Sequence, residues 1–432
     1  MKKVSFFTFG CKLNQYESQG MAEKLHDEYK IAFDDDNADI YIINSCTVTA
    51  EAERKLRQLY RRLKKKSPKS NFVIVGCYSE VNPEELKELG FDLVLGVKQK
   101  VNIRAELSKL LDGEARDKAA EILGQTYFSV SSSPEGRTRA YIGIEDGCLN
   151  HCAYCRIRLA RGTRIDSKPV ELIVNEFTDL LRAGFKEIVL TGINIGFYGF
   201  GSSTKLVELL KRLLAFEGNW RIRLSSLDPR LIDQELIQLI TENPEKIAQH
   251  VHLSLQSGSD RVLKLMKRNY TKNKYRSIVN DFRRNNPRFS FTTDIIVGFP
   301  GETREDFLET LDFVRELEFL KIHVFRFSPR PGTEAAKMVD QVPGNIKKER
   351  ALILKEIAER SSLSYLKKQL GRESLVLIER SDGKYSFGYD EYFIQHKVPG
   401  SLPKEFIRVR TSEIFESGAF SSAEFHCKSM VT

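Results

Sequence analysis

Three cysteines crowd one short run, Cys148-x-x-x-Cys152-x-x-Cys155, just after a predicted strand. Three thiolates on one loop can hold three irons of a [4Fe–4S] cluster. The fourth iron is then open to a small molecule bearing an amino and a carboxylate group. S-adenosylmethionine (SAM) offers that pair, and one electron from the cluster would cleave it reductively to a 5′-deoxyadenosyl radical. The competing use of such a loop is a zinc knuckle. Zinc wants a fourth close ligand, and His151 sits inside the loop with unsuitable neighbours on both sides.

A second set of cysteines is spread out. Cys11, Cys46 and Cys77 each follow a predicted buried strand by one or two residues. In a parallel sheet such strand ends share one edge, where loops converge to make a site. Three thiols at one topological location suggest the ligands of a second cluster, although a lone cysteine is commonly just a small buried hydrophobe. Cys427 has no partner set and reads as a residue of the last domain.

The elements that must carry these loops fall into three groups. In residues 1–112, strands Lys3–Phe9, Asp39–Asn44 and Phe72–Gly76 alternate with helices Tyr16–Tyr29 and Ala50–Lys66, as in a parallel α/β sheet. Periodicity fades over 113–138, which ends in Ser131-Ser132-Ser133-Pro134-Glu135-Gly136 and reads as a linker with room for an edge strand. The strand–helix rhythm then recurs six times across 139–345, with strands at Ala140–Glu145, Glu187–Thr191, Arg221–Ser226, His252–Leu255, Phe291–Val297 and Lys321–Phe327. Val170–Ala183 and Arg304–Glu318 are among the helices between them. Six parallel strands suit an open sheet or an incomplete barrel, and periodicity alone does not choose. Residues 346–370 read as a connecting helix capped by Gly371. Beyond it come the short strands Leu375–Glu379, Tyr385–Tyr389, Tyr392–Val398 and Phe406–Thr411, a small antiparallel barrel or sandwich.

Composition sets the bounds on this reading. The 432 residues suggest about three domains. With 41% hydrophobic and 29% charged residues, the chain is ordinary globular protein rather than disordered or fibrous. No apolar run approaches the roughly 18 residues of a membrane span. The stretch Val4–Gly10 is too short for a secretory signal and has no cleavage site, so a cytoplasmic protein is expected. Lys+Arg 68 against Asp+Glu 59 gives +9, a moderate basic excess. Much of it lies in residues 51–70, where Arg54, Lys55, Arg57, Arg61, Arg62, Lys64, Lys65, Lys66 and Lys69 face only Glu51 and Glu53. That helix follows Cys46, so phosphate attraction would act near the second cysteine set; a solvated charged face is the plainer reading. Lys264–Arg276, with Tyr270 and Tyr275, is a second basic stretch that would support RNA.

Together these motifs resemble the radical-SAM methylthiotransferase family over nearly the whole chain. The resemblance rests on both cysteine sets, on Arg161-Gly162 after the loop, and on Thr191-Gly-Ile-Asn-Ile-Gly196, Leu255-Gln-Ser-Gly-Ser-Asp260, Thr293–Thr303 and Ser328-Pro-Arg-Pro-Gly-Thr333. Phe9-Gly-Cys-Lys-Leu-Asn-Gln-Tyr-Glu-Ser18 is similar to the MtaB type, which methylthiolates C2 of N6-threonylcarbamoyladenosine beside the tRNA anticodon. The resemblance implies an N-terminal methylthiotransferase domain over 1–135, a radical-SAM partial (β/α)6 barrel over 136–368, and a TRAM-like RNA-binding barrel over 369–432. It implies two [4Fe–4S] clusters, on Cys148, Cys152 and Cys155 and on Cys11, Cys46 and Cys77. SAM would serve as methyl donor and as radical source, and an external electron donor and a sulfur source are required.

By the same resemblance, Gly192 and Asn194 would approach the methionine part of SAM. Ser225, Ser226, Gln256 and Asp294 would meet ribose or substrate, and Gly298 with Phe299 an adenine surface; turn geometry or sheet packing is the plain alternative for each. Arg161 and Arg164 would close the site or meet the nucleotide, with a structural salt bridge as the competing role. Arg54, Arg57, Arg61, Arg62 and Lys65 would face tRNA. The last domain gives no electrostatic help, since eight basic residues from Gly371 to Thr432 face nine acidic ones; Arg408 and Arg410 are its candidate grips. The chain departs from its relatives at Arg156 and Arg158, where an apolar-proline stretch is frequent, and at Arg326, where proline is. Methylthiolation of isopentenyladenosine tRNA or of a ribosomal-protein aspartate is the alternative reaction. A noncatalytic iron–sulfur protein that binds RNA or carries electrons is the alternative class.

Overall fold

The first domain is built on strands apolar enough to be buried on both faces, as parallel sheets require. In the computed structural model, which describes residues 1–112, 127–132, 138–415 and 418–423, they form a five-stranded parallel sheet. Its order is Lys30–Phe33, Lys3–Thr8, Ile40–Ser45, Asn71–Gly76, Leu93–Leu95. Helix Lys12–Leu25 packs on one face through Leu13, Tyr16, Met21 and Leu25, and helix Ala50–Lys66 on the other through Leu56, Tyr60 and Leu63. The second helix starts where Thr49 accepts the Ala52 N–H at 3.2 Å; Glu51 and Glu53 occupy its first turn and Lys64, Lys65 and Lys66 its last, matching the helix dipole. Both outer strands, Lys30–Phe33 and Leu93–Leu95, are additions to the predicted three.

Residues 127–132 are no free linker. Phe128 and Val130 are buried in the first domain's core. The Phe128 carbonyl accepts from Tyr16 Oη at 2.6 Å and Lys168 Nζ at 2.8 Å, and Val130 N donates to Glu176 at 2.8 Å, strapping the two domains together. The predicted boundary at 135/136 and Cys427 lie outside the described residues.

In the central domain six parallel strands follow in sequence order: Arg139–Asp146, Glu187–Gly192, Arg221–Leu224, His250–Leu253, Ser290–Val297 and Lys321–Arg326. The strand predicted over Arg221–Ser226 breaks at Ser225. Its first part pairs with Glu187–Gly192, while Ser226–Leu227 pairs with His250–Leu253. The break bends the sheet, and the bend resolves the choice in favour of a partial barrel. Ile142, Ile144, Leu253, Ile295 and Val297 face the surrounding helices; the alternate residues therefore face the lumen. The barrel does not close, because Lys321–Arg326 pairs on one side only.

The first domain fills part of that opening. A Cβ on Gly143 would lie 2.6 Å from Tyr16 and 3.1 Å from Leu13, so helix Lys12–Leu25 rests directly on the lumen face of the first central strand. Only a residue without a side chain permits that approach.

Helix Gly344–Lys367 leads to a closed barrel of Glu373–Ser381, Tyr385–Tyr389, Gln395–Pro399, Phe406–Phe415 and Gly418–Ala423. Of the two forms expected here it is the barrel: four of its strand pairings are antiparallel, and Gln395–Pro399 with Gly418–Ala423, paired in parallel, completes the closure. The strand predicted from Tyr392 starts later because the Asp390 carboxylate accepts the N–H groups of Tyr392 and Ile394 at 3.0 and 2.8 Å, folding a turn there. At the base of the central barrel, Glu187 accepts from Arg221 at 2.7 Å and Arg223 at 2.9 Å. Both arginines continue to carbonyls of the last domain: Arg221 to Leu375 and Tyr389, Arg223 to Asp390. These guanidiniums hold the Glu187 carboxyl far below its ordinary range against the opposing effect of burial. Among the described residues, no helix is long and apolar enough to cross a membrane.

Candidate active site at the seam of two domains

The loop carrying Cys148, Cys152 and Cys155 leaves the C-terminal end of the first central strand through Gly147, at φ +96°. Asn150 donates to Asp228 at 2.7 Å, Arg268 reaches Asp228 at 3.5 Å, and Arg268 Nη1 donates to Cys152 Sγ at 3.4 Å. Ala153 is pinned by backbone bonds to Met266 and Ala335. Burial pushes the Cys148 thiol up to about 11 and Cys155 to about 12, with the neighbouring thiols of the set adding to each. Protons would therefore leave when a metal is loaded.

The other three cysteines sit where the sheet edge predicts. Cys11 precedes helix Lys12–Leu25, Cys46 follows strand Ile40–Ser45, and Cys77 opens helix Cys77–Val81. Burial raises Cys46 to about 12, helped by Cys77 and Cys11, so the three thiols share one field. Arg161 Nε donates to Cys77 Sγ at 3.3 Å. Each set thus has one guanidinium aimed at sulfur, which suits a centre carrying negative charge. A single zinc ion would hold its sulfurs within about 4 Å of one another. Among the described residues neither set gathers three ligand atoms within 4.8 Å.

A buried carboxylate joins the two loops. Glu53 accepts from Thr47 at 2.7 Å, from Arg156 at 3.1 Å and from Arg330. Arg156 also donates to Thr47 at 3.0 Å and Asn82 at 2.8 Å. Thr47 follows Cys46 and Arg156 follows Cys155, so one ion-pair cluster ties the two thiol sets together. A second tie runs through Arg161, which binds Glu17, Asn14 and Asp146 while Lys100 also reaches Glu17.

Of the residues predicted for SAM, several line the C-terminal ends of the central strands. Asn194 N donates to Glu145 Oε2 at 2.8 Å, and Gly192 packs against the same carboxylate. Glu145 Oε1, Asn194 Oδ1 and Ser225 Oγ are buried without hydrogen-bond partners among the described residues. Burial raises the Glu145 carboxyl well above its usual range. Unsatisfied polar atoms around one cradle are what a polar ligand would satisfy, so the site fits SAM. Gln256 is held at φ +71° between Asp294 O and Ile296 N, strain that marks functional positions. Asp294 faces the lumen beside His252 at 3.4 Å, and Ser226 lies half-buried beside it in the sheet. Phe299 is fully buried among Tyr154, Phe327 and Met266, the packing role that was its alternative, and it supports the cysteine loop.

The predicted RNA contacts divide. Arg161 makes the salt bridge that was its alternative role, with its side chain enclosed in the Glu17 network. Arg54, Arg57 and Arg62 are occupied by Glu51, Glu85 and Asp36, whereas Arg61, Lys65 and Arg164 are exposed. Tyr270 and Tyr275 are core residues bonded to carbonyls at 255 and 253, so Lys264–Arg276 offers RNA no aromatic surface. Arg408 and Arg410 both reach Glu373. Glu53, Glu145, Asp228 and Arg268 escaped the sequence reading. Lys12, beside Cys11, is pushed down to about 8 by burial and by Arg223 and Arg139.

One consequence concerns Gly147, whose Cβ would lie 2.1 Å from the Arg164 carbonyl in a backbone conformation that suits glycine. Gly147→Ala is expected to displace the loop at a cost of roughly 1–3 kcal/mol. Iron content after anaerobic reconstitution should fall by up to about four atoms per chain, the iron of one [4Fe–4S] cluster; full iron would show that the loop tolerates the side chain.

The sequence matches two family descriptions, the Radical SAM superfamily over residues 143–314 and the Uncharacterized protein family UPF0004 over residues 3–96. It is 44% identical to the threonylcarbamoyladenosine tRNA methylthiotransferase MtaB of Thermotoga maritima, over 98% of this chain and 97% of that protein. Identity to the protein of that name from Bacillus subtilis is 36%, covering 93% and 91%. The tRNA-2-methylthio-N(6)-dimethylallyladenosine synthase of Pelotomaculum thermopropionicum is 35% identical, covering 88% and 87%. Among solved structures, the radical SAM methyltransferase TsrM from Kitasatospora setae superposes with a TM-score of 0.54 at 14% identity, over 75% of this chain and 73% of that one. That likeness concerns the fold.

Proposed function

Because this chain belongs to the radical-SAM methylthiotransferase family, we propose that it methylthiolates C2 of N6-threonylcarbamoyladenosine in tRNA, next to the anticodon at position 37, in the cytoplasm. The observation that carries the reading is the joint at Glu53, which ties the segment after Cys46 in the first domain to the Cys148–Cys155 loop of the central domain at one seam. A radical source and a sulfur-carrying centre must work on the same nucleotide, and a shared seam is what such a reaction needs.

In this reading Cys148, Cys152 and Cys155 hold the [4Fe–4S] cluster that meets SAM, and Cys11, Cys46 and Cys77 hold a second. Bound there, SAM and the clusters supply one-electron chemistry, a methyl group and sulfur that an adenine carbon would not meet by acid–base catalysis. The protein's own part is placement. Glu145, Asn194 and Ser225 orient SAM through their unsatisfied atoms, Gln256 and Asp294 offer polar contacts from the lumen, and Arg268 and Arg161 balance charge at sulfur. Arg61, Lys65 and Arg164 present exposed cations to the RNA backbone. An external electron donor and a sulfur source complete the turnover.

Nucleoside mass spectrometry of tRNA from a host lacking its own methylthiotransferases tests this. Expression should produce 2-methylthio-N6-threonylcarbamoyladenosine. Appearance of the isopentenyl counterpart instead would overturn the substrate, and no methylthio nucleoside from a protein with both clusters intact would overturn the reaction.

A further inference from the structure

The first three strands of the central barrel furnish Glu145, Asn194 and Ser225, the cradle assigned to SAM. The last three furnish a different set of donors. His252 lies on strand His250–Leu253, Asp294 on Ser290–Val297 and His323 on the edge strand Lys321–Arg326. Asp294 and His323 are direct partners in the parallel register, while His252 is the partner of Thr292, two residues before Asp294. Side chains at such positions lie on one face of a sheet, so the register itself gathers the three in the lumen. Among the described residues this is the one group of His, Cys, Asp or Glu that brings three ligand atoms within 4.8 Å of one another.

The spacing inside the group is that of ligands on one ion rather than of hydrogen-bonded partners. His252 Nε2 and Asp294 Oδ2 are 3.4 Å apart, beyond the about 2.7–3.2 Å of a good hydrogen bond. Two donors each about 2.1 Å from one ion, at a tetrahedral angle, stand about 3.4 Å apart. The His252 and His323 rings are tilted rather than stacked, with centroids 6.1 Å apart and planes at 43°, so both can turn a nitrogen toward one point. His323 is exposed on the open edge strand and has room to do so. A second layer of contacts holds the first. Thr292 Oγ1 lies 3.0 Å from His252 Nδ1 and 3.0 Å from Nε2 of the buried His250. That hydroxyl takes up one ring nitrogen of His252 and leaves the other turned to Asp294. Metal-bound histidines have their second nitrogen fixed in this way.

We propose that His252, Asp294 and His323 form a site for one divalent transition-metal ion, separate from both cysteine sets. Two imidazoles and one carboxylate suit zinc, ferrous iron or manganese. Three protein ligands leave at least one coordination position open toward the lumen, for water or for an anionic oxygen of a bound molecule. One oxygen of Asp294 suffices for the ion, so the other keeps its polar contact in the lumen.

The test uses the enzyme reconstituted anaerobically with iron and sulfide, so that the cysteines are occupied. The probe is Mn²⁺, and its uptake is read by loss of the free ion's electron paramagnetic resonance signal. The wild-type protein should take up one equivalent. One equivalent of Zn²⁺ should then release it, since nitrogen and oxygen donor sites bind zinc more tightly than manganese. Thr292→Val keeps the side chain's shape, removes the hydroxyl behind His252, and should weaken uptake about 10- to 100-fold. His323→Ala removes a ligand itself, from an exposed position that places little burden on folding, and should weaken uptake by more than that. Cluster absorbance and the thermal transition of each variant show that it is folded and loaded. Absence of stoichiometric uptake by the wild-type protein would overturn the site. Uptake undiminished in His323→Ala would also overturn it, by placing the ion on carboxylates elsewhere. Neither outcome bears on the RNA substrate, because no RNA is present.

Discussion

Cys152→Ser is expected to abolish formation of 5′-deoxyadenosine from SAM, whereas Cys46→Ser should leave part of that cleavage and abolish methylthiolation. The two variants should fail differently because the two thiol sets reach the seam from different domains. Cys152 lies on the central loop, held by the Arg268 contact and the Asp228 anchor beneath it. Cys46 lies on the first domain, in one field with Cys11 and Cys77. Loss of an outer partner of a metal ligand typically costs about 10- to 100-fold, and loss of a ligand itself should exceed that. The measurement is paired chromatography of 5′-deoxyadenosine and product nucleoside under reducing, anaerobic conditions. Full SAM cleavage by serine variants at all three of 148, 152 and 155 would defeat the assignment.

Glu53→Gln should uncouple the two halves of the enzyme. Glu53 is 7% exposed, Arg156 4% and Arg330 6%, so neutralising the carboxylate leaves two guanidiniums buried against each other. Breaking a buried pair in this way costs about 3–5 kcal/mol. The expected readouts are a lowered thermal transition, faster proteolysis between the first and central domains, and more SAM consumed per methylthio product. Replacing all three by leucine (Glu53→Leu, Arg156→Leu and Arg330→Leu) removes the stranded charges and should recover much of the stability. If the triple variant also regains tight coupling of SAM use to product, the joint is merely structural.

What the sequence made legible was local. Cys148-x-x-x-Cys152-x-x-Cys155 is a spacing within one loop, and the six central strands announce themselves as apolar runs of ordinary length. Helix Ala50–Lys66 was readable to the residue because Thr49 caps it and its acids and bases sit at opposite ends. Lys30–Phe33 and Leu93–Leu95 were not, being short edge strands with little periodicity to detect. The contacts that define the site were the least accessible. Glu53 meets residues more than 100 and more than 270 positions away, and no composition or period marks such a partner. Arg156 shows the difficulty from the other side. In sequence it is a departure from an apolar pattern; in the fold its charge is accounted for by an acid from another domain. Arg161 and Phe299 each had two roles open, contact with ligand or nucleotide against salt bridge or packing, and in the fold both side chains are buried beside the cysteine loops.

The arginines at the base of the central barrel bear on what a shortened protein could be. Arg221 and Arg223 donate to backbone carbonyls of the C-terminal barrel while sharing Glu187 between them. Deleting that barrel would leave these buried cations facing water with half their bonds gone, so a truncated chain should fail as a folded catalyst before any question of gripping RNA arises. The same attachment would make the protein a caliper. An RNA feature held on the last domain would sit at a set span from the two cysteine sets, and a nucleotide would then be chosen by how far along the RNA it lies as well as by what it is.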